Sequence, residues 1–327
     1  MARPALKPKG QALLPSGSSQ GHHRELMSVL VGTAAGLFEL TSDGARSIDG
    51  LGSRGVTALA RDGRRASAIT EGRQVWSSEG RSWEAVHSID GWPATCLAPT
   101  RDGLLVGTEE AHLVRITDAG CATVEPFERV DGRARWHTPW GDPAEVRSIA
   151  IGTSDAIYVN VHVGGVVRSR DRGRSWTPTL DIECDVHEVL APAEWPGWVL
   201  VAAAAGFGIS RTGGDSWEFT TAGLHAHYLR AVAVSGTMVL VSASTGPRSS
   251  RAAVYRRRLE GPDGFERCRS GLPEWFDGNI DTSCLAAQGT RAVFGTADGR
   301  IFRSQDAGGS WELAAHGLPA VRCIVVG

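Results

Sequence analysis

The stretch Ser169-Arg170-Asp171-Arg172-Gly173-Arg174-Ser175-Trp176 returns near the end of the chain as Ser304-Gln305-Asp306-Ala307-Gly308-Gly309-Ser310-Trp311. Two worn copies accompany them. One, Ser210-Arg211-Thr212-Gly213-Gly214-Asp215-Ser216-Trp217, has Thr212 in place of the Asp. The other, Ser77-Ser78-Glu79-Gly80-Arg81-Ser82-Trp83, has Glu79 there and is one residue shorter. A recurrence of this kind marks a supersecondary unit that cannot bury its apolar face alone, so it dictates stacked units sharing a core. Within each copy the Asp and Ser suit hydrogen bonds to turn backbone, the Gly suits positive φ, and the Trp suits inward packing. These residues therefore read as structural, and neither Asp171 nor Asp306 is nominated for catalysis.

Around these phrases the chain divides into strand pairs. Seven hairpin patterns run from Val31–Leu40 to Val293–Ser304, but only six apolar strands stand ahead of a hairpin. Those six run from Val56-Thr57-Ala58-Leu59-Ala60 to Thr282-Ser283-Cys284-Leu285-Ala286. The seventh is the carboxyl-terminal Val321-Arg322-Cys323-Ile324-Val325-Val326, which is expected to pair into the first blade and close the ring. Closure removes an unpaired edge and covers an apolar blade face. A repeat of roughly 37 to 53 residues fits four short strands. The expectation is an all-β, seven-bladed propeller of four-stranded antiparallel blades, with almost no helix because no long 3.6-residue period occurs.

The chain has 327 residues, 42% hydrophobic and 21% charged, with a formal net charge of -2. That supplies a core and argues against nucleic-acid or membrane-surface partners, which usually demand a basic bias. Residues 1–26 are rich in Pro, Gly, Ser and Gln and read as a disordered tail; 27–327 read as a single propeller, and Met27 is a candidate start. The first residues lack a secretory h-region and no stretch reaches the roughly 20 apolar residues of a membrane span, so a cytoplasmic protein is expected. Six cysteines show no CxxC spacing, and Cys96, Cys284 and Cys323 share one repeat position inside apolar strands, where they read as buried side chains.

The pattern Ser-x-Asp-x-Gly-x-Ser-Trp resembles the Asp-box, or bacterial neuraminidase repeat. Propellers of that kind include sialidases, sortilin-type receptors, xyloglucan hydrolases and photosystem assembly factors, so the resemblance implies a fold more than a function. It implies no sialidase: those have six blades and an Arg-Ile-Pro motif, which this chain lacks. Their Tyr nucleophile with a Glu partner has a possible imitation in Tyr228 with Glu145, and their arginine triad is loosely resembled by Arg147, Arg230 and Arg322.

Strand alternation puts the loop entering each innermost strand on one face, the top. Insertions there are Glu125–Glu145 with Trp136, His137 and Trp140, Thr245–Arg251, and Gly271–Asp281 with Trp275, Phe276 and Asn279. Aligning the innermost strands gives the column Thr57, Thr95, Arg147, His187, Arg230, Ser283, Arg322. Two residues earlier stand Gly55, Pro93, Glu145, Asp185, Tyr228, Asp281, Ala320. Converging arginines favour a carboxylate or phosphate, because the planar fork donates paired hydrogen bonds and stays charged. The bland alternative pairs Arg147 with Asp185 and Arg230 with Asp281.

The ligand-binding candidates are Arg147, Arg230, Arg322, Glu145, Tyr228, Asn279, Asp281, Trp136, Trp140 and Trp275. His187 oriented by Asp185, with His162, is the catalytic candidate set. No HExxH, Gly-x-Ser-x-Gly or Gly-rich phosphate loop occurs, and no metal or cofactor is expected. The leading expectation is a binder of an anionic small molecule or peptide. Alternatives are a hydrolase or lyase, glycoside hydrolysis by acids such as Glu145, Asp185 and Asp281 included, or a scaffold for a protein partner.

Overall fold

A computed structural model describes Met1 and residues 28–80 and 82–327. The expected tail, Met27 and Arg81 lie outside the described residues. The strands form seven four-stranded antiparallel sheets. Blade 1 holds Val321–Val326, Val29–Thr33, Gly36–Thr41 and Gly44–Ile48, from the centre outward. Blade 2 holds Val56–Asp62, Arg65–Thr70, Gln74–Glu79 and Trp83–Ser88, and blade 3 Ala94–Thr100, Gly103–Thr108, Leu113–Thr117 and Gly120–Thr123. Blade 4 holds Val146–Ile151, Ile157–Val161, Gly165–Ser169 and Thr177–Pro178, and blade 5 Val186–Leu190, Val199–Ala203, Gly206–Ser210 and Glu218–Thr220. Blade 6 holds Tyr228–Ser235, Met238–Ser244, Ala253–Arg258 and Glu266–Arg267, and blade 7 Leu285–Gln288, Arg291–Gly295, Ile301–Ser304 and Glu312–Ala315. Among the described residues the helices are two short 3-10 turns, Phe127–Arg129 and Arg133–Arg135, both in the insertion before blade 4.

The ring closes through the carboxyl-terminal strand. Val326, Val325, Ile324 and Cys323 pair antiparallel with Val29, Leu30, Val31 and Gly32. Ser28 and Gly327 exchange backbone hydrogen bonds of 2.8 and 3.0 Å beyond them. The innermost strand of blade 7 starts later than the sequence pattern implies. Thr282 and Ser283 form a turn, Ser283 has φ +61°, and pairing begins at Leu285.

Core side chains lie between neighbouring blades. Phe294 stacks on Phe302 at 5.1 Å and takes Trp311 edge-on at 4.8 Å, in a cluster that also draws on Val29 and Val31 of blade 1. A recurring interlock joins successive blades. Gly32, Gly107 and Gly295 stand at or one residue before the end of the second strand of blades 1, 3 and 7, and each faces a valine opening the next blade. A Cβ on Gly32 would meet Cys323 Sγ at 2.5 Å and Val56 Cγ1 at 2.7 Å, and one on Gly295 would meet Val321 Cγ1 at 2.5 Å. The three cysteines of the shared repeat position are buried there. Cys96 Sγ points at the Val146 carbonyl at 3.7 Å, Cys284 Sγ at that of Val321 at 3.7 Å, and Cys323 Sγ at that of Val56 at 4.0 Å.

The Ser-x-Asp-x-Gly-x-Ser-Trp turns close on themselves. Asp306 accepts from Ser304 Oγ, Ser310 N and Ser310 Oγ at 2.7–2.8 Å. Ser304 Oγ accepts the Gly308 N–H at 2.9 Å, and the buried Trp311 indole donates to the Gly308 carbonyl at 3.2 Å. Asp171 repeats the pattern with Ser169, Ser175 and Trp176. In blade 5 Thr212 supplies one hydroxyl where the others have a carboxylate, and it reaches Ser216 N at 3.0 Å and Ser216 Oγ at 2.9 Å.

A candidate binding site at the top of the ring

The aligned column has a backbone cause. In blades 2, 3, 4, 5, 6 and 1 the ladder slips where Thr57, Thr95, Arg147, His187, Arg230 and Arg322 stand. A β-bulge leaves one residue unpaired and re-aims its side chain. The residue two places earlier anchors the neighbouring turn of its own blade. The carbonyls of Gly55, Pro93, Glu145, Asp185 and Ala320 accept N–H bonds from Glu71, Glu109, His162, Ala204 and Ala34 at 2.8–3.0 Å. The bulge thus repeats at one level of the ring, the top.

Blades 4, 5 and 6 bring the charged members together. Arg147 Nε lies 3.6 Å from Glu145 Oε1. The His162 ring sits between two carboxylates, with Nδ1 3.5 Å from Glu145 and Nε2 3.5 Å from Asp185 Oδ1. His187 Nε2 lies 3.4 Å from the same Asp185 oxygen, and its Nδ1 contacts the Leu229 carbonyl. Tyr228 packs on His187 at 4.6 Å and accepts a hydrogen bond from Arg230 Nη2 at 3.2 Å. Arg230 Nη1 pairs with Asp281 at 3.0 Å. The Trp140 ring, 66% exposed, meets His162 edge-on at 5.3 Å and forms the rim.

The charges act on one another. Burial and the neighbouring Arg230 hold the Arg147 guanidinium below its ordinary pKa, against the pull of Glu145 and Asp185. Contact with His162 lowers the Glu145 carboxyl, and Arg147 and Arg230 add to this while burial opposes it. Burial also lowers the His187 imidazole, although Asp185 favours its charged form. A neutral His187 facing a carbonyl through Nδ1 carries its proton there, which leaves a bare lone pair on Nε2 toward Asp185. Hydrogen bonds do not satisfy every group. Among the described residues, Arg147 Nη1, Arg230 Nε, His162 Nδ1, Asp185 Oδ1 and His187 Nε2 are buried without a hydrogen-bond partner.

The other candidates lie elsewhere. Arg322 lines the channel beside Gly55 and makes no ion pair among the described residues. Trp136 anchors the insertion, 5.5 Å from Phe127 with Arg133 over its ring at 5.0 Å. Trp275 lies against the outer part of blade 6, with Arg267 and Arg251 at 3.8 and 4.8 Å from its ring. Asn279 ties down the neighbouring loop by donating to the carbonyls of Gly246 and Pro247 at 3.2 and 3.0 Å. Tyr228 bonds to Arg230 rather than to Glu145, and Arg147 has Glu145 rather than Asp185 as its ion-pair partner.

Two groups were less visible in the sequence. Glu188, in the apolar strand Val186–Leu190, is buried and accepts the N–H of Val232 at 2.9 Å and of Ser283 at 3.0 Å. Thr282 Oγ1 donates to the carbonyls of His187 and Arg230 at 3.1 and 3.2 Å. Together they stitch blades 5, 6 and 7 beneath the cluster. A cavity of about 590 Å³ fills the channel itself, lined by Thr57, Thr95, Ser148, Glu188 and Arg322 among others but not by Arg147, His187 or Arg230. The signal for Glu188 was a lone acid in an apolar strand.

No family model and no curated protein matches the sequence. Solved structures do match the fold. A GH74 xyloglucanase from Xanthomonas campestris superposes with a TM-score of 0.66 at 17% identity, over 89% of this chain and 53% of that one. The chain thus spans about half the length of that enzyme. The WD40 propeller domain of Doa1 gives 0.61 at 13% identity, over 90% and 94%. A catalytically inactive histidine-to-alanine variant of virginiamycin B lyase from Staphylococcus aureus, with quinupristin, gives 0.51 at 10% identity, over 86% and 92%. At these identities the likeness concerns the fold, which glycoside hydrolases and WD40 domains share. No helix among the described residues is long and apolar enough to cross a membrane.

Proposed function

We propose that this propeller, with turns of the Asp-box type, binds a small molecule or peptide carrying an anionic group at its top face. One observation carries the reading. Arg147 and Arg230 come from separate blades, burial and then the Arg230 charge depress the Arg147 guanidinium, and each keeps a buried N–H without a partner among the described residues. Two like charges within electrostatic reach, with spare donors, are relieved by an anion between them. Six unpaired cysteines support a reducing, cytoplasmic setting.

The test is thermal unfolding of the chain against small carboxylates, inorganic phosphate and short acidic peptides. A ligand that binds only the folded state raises the midpoint. The reading expects a rise for the wild type and none for Arg230→Ala. Unchanged midpoints throughout would refute it.

An acid–base enzyme at the same mouth is the second reading, favoured by the buried His187–Asp185–His162 contact. Glycoside hydrolysis by Glu145 with Asp185 is disfavoured, because the His162 ring occupies the gap between them. A docking role for a protein partner draws support from Trp275 between Arg251 and Arg267, an aromatic–arginine combination common at interfaces.

A further inference from the structure

The mouth holds two guanidinium groups, Arg147 and Arg230, and three carboxylates, Glu145, Asp185 and Asp281. These arginines and acids leave one negative charge in excess, so a purely anionic ligand would meet repulsion as well as attraction. The unpartnered atoms are of two kinds. Arg147 Nη1 and Arg230 Nε are spare donors, whereas Asp185 Oδ1 and His187 Nε2 are spare acceptors. His187 is fully buried, and its Nε2 is left bare by the Nδ1 contact to Leu229. His162 Nε2 faces the same Asp185 oxygen at 3.5 Å, so two ring nitrogens and one carboxylate oxygen converge there. Buried acceptors left facing one another are costly until a donor arrives.

We infer that the ligand of this mouth is a zwitterion, an amino acid or short peptide whose primary ammonium is received by Asp185, His187 and His162 and whose carboxylate is received by Arg147 and Arg230. An ammonium carries three N–H donors and no acceptor, which suits a carboxylate oxygen without a partner among the described residues beside two imidazole nitrogens. Arg147 lies within electrostatic reach of Asp185, His187 and Arg230, so the two half-sites adjoin. Trp140 at the rim covers the aliphatic part of such a ligand. This rests on the proposed anion-binding mouth and names its ligand class.

The experiment measures thermal midpoints and calorimetric affinities of the full chain. The probes, at matched concentration, are glycine, γ-aminobutyrate and dialanine, then acetate, methylamine, glycine betaine and zinc chloride. At least one amine-bearing zwitterion is expected to bind at least tenfold more tightly than acetate or methylamine. Betaine, whose quaternary nitrogen has no N–H, is expected to bind no better than acetate. Asp185→Asn is expected to weaken the zwitterion about tenfold, roughly 1.4 kcal/mol, without weakening acetate, which loses a repelling charge. Acetate binding as well as every zwitterion overturns the inference and leaves the anion-binding mouth intact. Zinc binding at Asp185 with no amine binding also overturns it. If no zwitterion binds, this inference falls whatever acetate does, while the anion-binding mouth stands or falls by the carboxylate, phosphate and peptide series. Should Asp185→Asn not fold, the betaine comparison on the wild type still decides.

Discussion

Glu188 of blade 5 reaches the backbone of blade 7: its Oε1 accepts the Ser283 N–H at 3.0 Å while Oε2 holds Val232 of blade 6. One side chain therefore fastens three blades around the closed part of the channel. Burial pushes its carboxyl up from 4.5 to about 8, against the two N–H donors and Arg147.

The sign of the consequence follows from linkage. Between those values the folded chain keeps a proton on Glu188 that the unfolded chain has released, so this contribution is full below 4.5 and is lost as pH rises through about 8. The unfolding midpoint is expected to fall from about pH 5 to about pH 9, and to fall less in Glu188→Gln. Gln keeps one acceptor but turns an amide N–H₂ toward the other backbone donor, costing about 1–3 kcal/mol. Thermal melts across pH check both. Because the lowered His187 imidazole acts in the opposite sense, the deciding comparison is with the variant, and a wild-type midpoint that falls no more than that of Glu188→Gln would contradict the assignment.

Arg230→Ala removes the pair with Asp281, whose side chain is half exposed, and the bond to Tyr228. A pair whose carboxylate is half exposed contributes about 0–1 kcal/mol, so the stability change is expected to be small. Ligand-induced stabilisation by carboxylates is expected to vanish. Denaturant melts with and without ligand separate the two effects, and collapse of the fold would make Arg230 structural.

Removing residues 321–327 strips the innermost strand from blade 1. Val321, Cys323 and Ile324 are buried, and Val29–Thr33 would become an open edge. Loss of cooperative thermal unfolding is expected, read by circular dichroism. An unaltered transition would show that blade 1 stands without it.

Gly295→Ala tests the interlock. The added methyl would meet Val321 Cγ1 at 2.5 Å at the junction of blades 7 and 1. Overpacking of this sort costs about 1–3 kcal/mol. Gly44→Ala is not a matched control, because its open surroundings are offset by φ +123°. The informative comparison is the double change Gly295→Ala with Val321→Ala, expected to recover part of the loss.

Asp306→Ala removes three short hydrogen bonds in the blade 7 turn and is expected to destabilise by about 1–2 kcal/mol. Burial raises its carboxyl, but the Ser310 N–H and hydroxyl and the Ser304 hydroxyl together outweigh that and hold it at about 2. Its contribution is thus present above the ordinary value of 3.8 and lost as pH falls through about 2. The converse change, Thr212→Asp, supplies blade 5 with the missing second oxygen and is expected to raise the midpoint. Chemical denaturation of both variants measures the effect.

The ring was legible because its determinants are local: the turn phrase, strand alternation, and a leftover strand whose partner had to be the first hairpin. The bulge column was legible as an alignment, yet the sequence could not reveal that the bulge aims those side chains. It brought Arg147, His187 and Arg230 together but left Arg322 beside Gly55, without an ion pair among the described residues. Trp275 and Asn279 sit in a top-face insertion whose path no local rule sets; the first turned outward onto blade 6 and the second was spent on the loop at Gly246. Glu188 reads as an oddity in an apolar strand, and its role depends on the N–H groups of two distant blades.

The seam between Val29–Thr33 and Val321–Val326 also sets an order of events during synthesis. The first hairpin leaves the ribosome long before its inner neighbour exists, and until then its hydrogen-bonding rim is bare. Every later blade can dock on its predecessor as it emerges, whereas this one must wait. Nascent chains stalled before Val321 would thus be the most adhesive species this protein ever forms.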